Sequence, residues 1–157
     1  MSDQNYSKAI KHGDDSSKEL IIEALGGNNT YGFDVDSIYY FEAEKKWVVI
    51  EFLKCDHKKV RPSTSHPSRY WNKNWRKFAS LWRLVESLDA KFYLVNYEDQ
   101  SHAEAQGRKE REFLVISVSE IDASEDGGIL KETPHIMDST GFYKWYQSLN
   151  ARGAKQK

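Results

Sequence analysis

The spacing of apolar residues along the chain predicts three helices. A capping box that begins at Ser16 precedes a short apolar stripe ended by two glycines, which is typical of a helix over 16–25. Apolar residues recur at intervals of three and four through 70–88 and predict one apolar face on a long helix. A third helix is expected where Ser139 or Thr140 can cap a segment with aromatic residues on one side.

Runs of β-branched and aromatic residues predict four strands, over 33–41, 47–55, 91–97 and 111–119. The first two flank a short polar turn and are expected to pair as a β-hairpin. The long helix lies between the second and third strands and is long enough to connect parallel strands. The element order α-β-β-α-β-β-α therefore predicts an α/β (α+β) fold in which helices flank a mixed β-sheet.

Polar segments between these elements predict loops and turns. Residues 56–68 contain two prolines and several hydroxyl side chains, which favour a loop. Residues 98–110 are rich in charge and are expected to form a mobile loop. An acidic turn over 120–128 is expected to close the last strand.

The length of 157 residues is that of one domain. We expect a loosely ordered polar segment at 1–15, a single domain at 16–150 and a basic tail at 151–157. No apolar run approaches the length of a membrane span, and the first residues lack the apolar stretch of a signal peptide. The expected location is therefore intracellular, in the cytoplasm, with no membrane partner.

The cysteine and histidine content argues against a zinc site. Cys55 is the single cysteine, so an internal disulfide cannot form and thiolate ligands are too few. The five histidines show no paired metal-ligand spacing. Cys55 is expected to be a buried thiol at the end of a strand rather than a nucleophile.

The near-neutral formal charge of −1 conceals a segregated charge distribution. Residues 54–83, the basic segment, contain nine Lys and Arg residues and a single acidic residue, Asp56. Acidic residues outnumber basic ones on both sides of this segment. Tyr, Trp and Asn side chains are interleaved with the cations, and such mixtures can bind phosphates and stack on bases. The basic segment therefore predicts a DNA-binding surface.

Nine residues of the basic segment are expected to contact DNA. His66 and Tyr70 are the candidates for stacking on bases, because the tryptophans of the helix lie on its apolar face. A solvated helix face is the alternative interpretation, although such faces usually mix both signs of charge. The predicted contacts are Lys58, Lys59, Arg61, His66, Arg69, Tyr70, Lys73, Arg76 and Lys77.

Acidic residues on the predicted hairpin are candidates for a metal site. If the turn centres on residues 44 and 45, Ile38 pairs with Glu51. Asp36 then lies diagonally from Glu51 on the same face of the sheet. Two adjacent carboxylates need a compensating cation, and Mg²⁺ prefers oxygen ligands. We therefore expect Asp36 and Glu51 to bind Mg²⁺ or Mn²⁺.

With these carboxylates, the sequence resembles the PD-(D/E)xK nuclease superfamily, which includes restriction enzymes and resolvases. The resemblance implies that Glu23 on the first helix joins Asp36 and Glu51 as a site carboxylate. It also implies that Lys54 is the lysine that assists the attacking water. Lys54 stands three residues after Glu51, where the family has two, so a β-bulge near Leu53 is needed to turn it toward the site.

The resemblance implies a restriction-endonuclease-like fold and a Mg²⁺-dependent endonuclease that hydrolyses DNA phosphodiester bonds. One alternative is a nuclease-fold protein without catalysis that binds DNA or RNA through the basic segment. A further alternative is a protein-interaction domain with an aromatic surface around Tyr70, Tyr143 and Trp145. A domain of this size often cuts both strands as a pair, which makes a homodimer the expected assembly.

Overall fold

The computed structural model describes residues 16–154, so the predictions for 1–15 and for 155–157 lie outside the described residues. The described residues divide into two compact units at Asp34. The first unit contains helix α1 (Ser16–Leu25), as predicted, and its apolar side chains are exposed within the described residues. The second unit, from Val35 onward, contains the β-sheet and the other helices.

The second unit is built on a mixed five-stranded β-sheet. The strands lie side by side in chain order, and only the second and third of them are parallel. The carboxyl ends of these two strands therefore meet at one edge of the sheet, where ligand sites of α/β proteins commonly lie. The strands are β1 (Ser37–Phe41), β2 (Lys46–Lys54), β3 (Lys91–Tyr97), β4 (Phe113–Asp122) and β5 (Gly128–Met137).

Helices cover both faces of the sheet. Helix α2 (Trp71–Leu88) packs on one face through Phe78, Leu81 and Val85. Helix α4 (Ser139–Arg152) packs on the other face through Leu149 and several aromatic side chains. Alternate residues of the strands feed these two cores, as the two-residue period of a strand requires.

The predicted mixed α/β class is confirmed, and the elements depart from the predicted order in two places. A short helix, α3 (Gln100–Ala105), lies inside the segment predicted as a mobile loop. Strand β5 was not predicted, because its side chains are largely exposed and give no apolar signal. Pro134 within β5 is tolerated because the strand lies at the edge of the sheet.

Smaller differences lie at the element ends. Residues 33–36 precede β1 instead of belonging to it, and β4 extends to Asp122. Helix α4 is capped by Asp138, whose side chain accepts a hydrogen bond from the Gly141 amide, rather than by a hydroxyl. No helix among residues 16–154 is both long and apolar enough to cross a membrane.

A buried ionic cluster orders the segment after β3. Both oxygens of Glu98 pair with the Arg108 guanidinium at 2.5 Å, and His102 Nδ1 lies 2.7 Å from Oε1. The backbone amide of Glu112 donates to the same carboxylate at 2.8 Å. The loop predicted over 98–110 is therefore anchored at its first residue, Glu98, and just beyond its last residue, at Glu112, and both glutamates are buried.

We expect this cluster to make stability depend on acid pH. Burial alone would raise the pKa of Glu98, but Arg108, His102 and the Glu112 amide lower it to about 2, from an ordinary value of 4.5. The stabilisation is thus present above about pH 4.5 and is lost as the pH falls through about 2. Glu98→Gln should lower the free energy of unfolding by about 3 kcal/mol at neutral pH, with a loss that shrinks toward pH 2.

Urea unfolding across this pH range measures the effect. Glu110→Gln, which changes an exposed carboxylate of the same segment, is the matched control and should behave like the wild type. A Glu98→Gln effect that is small at neutral pH, or equal at pH 2 and pH 7, would contradict the assigned role of the cluster.

Candidate functional site

The hairpin register brings Asp36 and Glu51 together. The structure pairs Ile38 with Val49, so the predicted pairing of Ile38 with Glu51 is wrong. The turn is centred one residue earlier than predicted, because Phe41 pairs with Lys46. One step beyond the last pair of the ladder, Asp36 lies across from Glu51 rather than diagonal to it.

Glu51 is a carboxylate in the apolar layer between the sheet and α2. Its neighbours on the same face of β2 are Val49 and Leu53, which belong to the α2 core. The side chain is completely buried, and among the described residues no backbone amide and no neutral side chain donates a hydrogen bond to it. Lys77 on α2 forms an ion pair with Oε1.

The electrostatics of Glu51 follow from this position. Burial raises the pKa of Glu51 to about 7, against the lowering effect of Lys77. The Asp36 carboxylate lies close enough to raise the pKa of Glu51 further. Two carboxylates that disfavour each other's charge, with one ammonium beside them, form a site that a divalent cation would stabilise.

Asp36 is the exposed member of the pair. It precedes β1, and its Oδ2 accepts a hydrogen bond of 2.8 Å from the backbone amide of Phe52. This bond holds the carboxylate at the end of the sheet, next to the strand that carries Glu51. The Asp36 side chain is therefore accessible to a ligand, while its hydrogen bond with the Phe52 amide fixes its position.

Lys54 does not face the carboxylate pair. The ladder between β2 and β3 runs without interruption from Val48 to Lys54, so the predicted bulge is absent. Lys54 Nζ instead lies 2.7 Å from Asp99 Oδ2, and both side chains are about half exposed. The lysine that meets Glu51 is Lys77, which comes from the helix and not from the strand.

Lys77 reaches the sheet because of its place on the helix. It stands four residues before Leu81, a fully buried residue of the α2 core, so both lie on the same side of α2. Its methylene chain can therefore lie along apolar surface while the ammonium approaches Glu51. The sequence predicted Lys77 as a DNA contact and missed this pairing; its spacing from Leu81 is the one signal that points to it.

Glu23, the third predicted carboxylate, lies on the exposed surface of α1 within the first unit. Its role in the site stays a prediction. Among residues 16–154, no three His, Cys, Asp or Glu side chains converge as ligands of one metal. Asp36 and Glu51 therefore form a site of two carboxylates.

The basic segment is partly neutralised by distant carboxylates. Arg61 forms two hydrogen bonds with Glu112, of 2.7 and 3.2 Å, and His66 Nε2 lies 2.8 Å from Glu132. These two predicted DNA contacts, together with Lys77, thus have acidic partners within the fold. The positive charge of the basic segment that remains unpaired in the structure is therefore smaller than its count of Lys and Arg residues suggests.

The other predicted contacts are available at the surface. Arg69 donates to the Thr64 carbonyl oxygen at 2.6 Å, and Tyr70 is half-buried at the start of α2. Arg76 lies over the ring of Trp75, with 5.4 Å between the guanidinium carbon and the ring centroid. Within the basic segment, the exposed cations without an ion pair to the described residues are Lys58, Lys59, Arg69, Lys73, Arg76 and Arg83.

The loop that carries Lys58 and Lys59 is held by α3. Gln106 Nε2 donates to the backbone oxygens of Lys58 and Val60, at 3.0 and 2.7 Å. His102 Nε2 lies 3.0 Å from the carbonyl oxygen of His57. The two lysines are therefore displayed from an ordered backbone, which lowers the entropic cost of binding a phosphate chain.

A recess opens beside Asp36 on the face of the sheet that α4 covers. This aromatic cleft of about 490 Å³ is lined by aromatic rings, one cation and Asp36 itself. The sequence did not identify it, because its members come from five separate segments. They are Asp36, Phe52, Tyr97, Arg111, Phe113 and Phe142.

The predicted protein-interaction surface is not continuous. Tyr70 lines a recess on the α2 side of the sheet, together with Phe78 and Leu53. Trp145 packs in the core on the α4 side, with its ring centroid 5.3 Å from that of Tyr93. Tyr143 is exposed. Tyr70 and Trp145 therefore lie on opposite sides of the sheet.

Because the pKa of Glu51 is raised, we expect its ionised carboxylate to destabilise the fold near and above neutral pH. A carboxyl that binds its proton more tightly when folded stabilises the fold fully below about pH 4.5, and this contribution is lost as the pH rises through about 7. In EDTA, Glu51→Gln should therefore raise the free energy of unfolding by about 1 to 3 kcal/mol at pH 8, and by almost nothing at pH 4.

Denaturant unfolding at the two pH values checks this expectation. Glu42→Gln alters an exposed carboxylate in the turn of the same hairpin and serves as the control. A Glu51→Gln protein that is less stable than the wild type at pH 8 would show that Glu51 makes a net favourable contribution to the fold, contrary to this account.

Comparison with known proteins gives no family for the chain: no protein-family model, curated protein or solved structure matches it. The functional interpretation therefore depends on the geometry of Asp36, Glu51 and Lys77.

Proposed function

We propose that the protein is a Mg²⁺-dependent endonuclease that hydrolyses phosphodiester bonds of DNA, with a site of the PD-(D/E)xK kind. The observation that carries the proposal is the complete burial of Glu51 in an apolar layer, beside a second carboxylate and with the Lys77 ammonium as its one partner among the described residues. A fold gains nothing in stability from such a pair, so a role in binding a cation explains its presence better than a structural role.

The donor set suits Mg²⁺. Asp36 and Glu51 offer oxygen ligands, and Mg²⁺ is typically bound by one or two carboxylates while water and substrate phosphates complete its coordination. Oε2 of Glu51 has no partner among the described residues and Oε1 has only Lys77, so these oxygens are the atoms that such an ion would contact. Mg²⁺ or Mn²⁺ bound there would supply positive charge that favours ionised water and stabilises charge on the phosphate.

In this proposal, Asp36 and Lys77 have separate roles beside the metal ion. Asp36, held by the Phe52 amide, lies at the surface and would orient the ion toward a phosphate. Lys77 is the cation next to the carboxylates, and it would take the role that the family resemblance gives to Lys54. Once a metal ion neutralises Glu51, the Lys77 ammonium is free to interact with a phosphate oxygen or the attacking water.

The free cations of the basic segment support a polyanionic substrate. Lys58 and Lys59 lie in the loop that follows β2, and Lys73 and Arg76 lie in the first turns of α2. Both segments lead away from the strand that carries Glu51. A DNA backbone bound by these cations would therefore pass near the carboxylate pair.

A second candidate function is DNA or RNA binding without cleavage. Two observations favour it. Glu51 is completely buried and already forms an ion pair with Lys77, and Lys54 forms an ion pair with Asp99. In this case Lys77 would be the permanent partner of Glu51, and the basic segment would supply the whole function. Steeply salt-dependent binding with no cleavage would identify this alternative.

A cleavage assay with single-stranded, branched and duplex DNA tests the proposal in Mg²⁺, Mn²⁺ and EDTA. Cleavage should require the metal, and Glu51→Gln should reduce its rate by about 100-fold or more while leaving DNA binding intact. Lys77→Met should also reduce the rate, whereas Lys54→Met should change it little. Glu42→Gln is the control for a neutralised carboxylate on the same hairpin.

Two outcomes would contradict the proposal. Full metal-dependent cleavage by purified Glu51→Gln would place the activity elsewhere. Absence of cleavage of all three DNA forms, by a wild type that binds DNA, would leave the binding function alone.

A further inference from the structure

The aromatic cleft beside Asp36 is lined by four rings, of which Phe113 is buried and the other three are partly exposed. Phe113 and Phe142 stack face to face, with 4.2 Å between their centroids. Phe52 and Tyr97 meet edge to face at 6.3 Å, and both remain partly exposed. The cleft thus offers aromatic surface that no described side chain covers, in a volume of about 490 Å³.

Arg111 provides the polar group of the cleft. Its Nε donates to the carbonyl oxygen of Glu98 at 2.9 Å, and its guanidinium lies over Phe113 at 5.1 Å from the ring centroid. These contacts fix the plane of the guanidinium. Its two terminal nitrogens have no hydrogen-bond partner among the described residues, so they can donate to a base edge or a phosphate.

The cleft shares Asp36 with the candidate cation site. Asp36 lines the cleft, and the same carboxylate acts on the pKa of Glu51 across the hairpin. The backbone of Phe52, which lies between the two sites, donates to Asp36 and carries one of the rings. A ligand in the cleft would therefore lie beside Asp36, the exposed carboxylate of the pair, where a phosphate could reach a bound cation.

We propose that the aromatic cleft binds an unpaired nucleobase, next to the phosphate at Asp36 and Glu51, so that the substrate is single-stranded or locally unpaired DNA. The inference depends on the proposed function and names its substrate class. A base inside a duplex has both faces covered by its neighbours and must leave the stack before it can contact Tyr97 or Phe52. A single strand has no such cost, and aromatic stacking supplies affinity with little dependence on sequence.

The combination of groups favours a base over an apolar side chain of a protein. An apolar partner would leave the free nitrogens of Arg111 buried without acceptors, which is costly. A nucleobase presents ring faces to Phe52 and Tyr97 and acceptor atoms to Arg111, and its phosphate carries the charge that a cation at Asp36 would attract.

Binding of labelled oligonucleotides tests the inference without relying on cleavage. The protein used is the full chain carrying Glu51→Gln, with a single strand of about ten nucleotides, its duplex, and the single strand with abasic positions. In that background, Tyr97→Leu should weaken single-strand binding by about fivefold or more and leave duplex binding nearly unchanged. Abasic positions should weaken binding to the parent protein and have less effect on Tyr97→Leu.

Further variants control for the loss of an aromatic ring and test the planar guanidinium of Arg111. Tyr143→Leu removes an exposed ring of α4 outside the cleft and should leave both affinities within about twofold. Arg111→Lys keeps the charge but loses the planar fork, and it should weaken single-strand binding, whereas Arg152→Lys, at an exposed position outside the cleft and the basic segment, should not.

The outcomes separate the two proposals. If Tyr97→Leu and the abasic positions leave single-strand affinity unchanged while the protein binds and cuts DNA, the cleft inference is overturned and the endonuclease proposal stands. Equal losses for single strand and duplex would also overturn it, because the Tyr97 ring would then give no preference for an unpaired base. Failure of the wild type to bind or cut any of these DNA forms would remove the endonuclease proposal itself.

Discussion

The burial of one ionisable carboxylate, Glu51, is the constraint on which the functional account depends. Strand β2 passes through the middle of an α/β/α sandwich, and Glu51 faces the apolar core beneath α2. Among the described residues, no backbone amide and no neutral side chain donates a hydrogen bond to it. Only Lys77 offsets its charge, and Asp36 opposes it. An apolar residue at this position would suit the core better, so the cost points to a function.

The rest of the second unit positions groups around this carboxylate. Parallel pairing of β2 and β3 brings their carboxyl ends to one edge, and the ionic cluster of Glu98 orders the segment that follows β3. That segment holds the backbone of the lysine-bearing loop on the α2 side. It also carries Arg111 into the aromatic cleft on the α4 side. Asp36 lies between the two sides, where a nucleic-acid strand could meet cations, carboxylates and aromatic rings in succession.

The sequence predicted those features that depend on local pattern. The period of α2 and the apolar runs of β2 and β3 come from residues close in the chain, and the structure has all three elements. Strand β5 was not predicted, because it is a largely exposed strand at the edge of the sheet. Backbone pairing to β4 holds it there, so its side chains need no alternating apolar pattern.

The candidate site was predictable only in part, for a similar reason. Asp36 and Glu51 lie on one hairpin, so their proximity follows from strand pairing even though the predicted register was wrong. Lys77 meets Glu51 through the packing of a helix on the sheet, which is a tertiary contact between residues far apart in the chain. Arg111 and Tyr97 join Asp36 at the cleft through sheet topology, and no local spacing indicates that juxtaposition.

The most direct test of the central claim is the position of a bound metal ion. Crystals of the full chain grown with Mn²⁺ allow the ion to be located by its anomalous scattering. The account predicts one peak between the carboxylates of Asp36 and Glu51, with the Lys77 ammonium displaced from Oε1. An ordered Mn²⁺ ion at other residues, or an intact Lys77–Glu51 pair at saturating Mn²⁺ with no peak beside it, would contradict the claim.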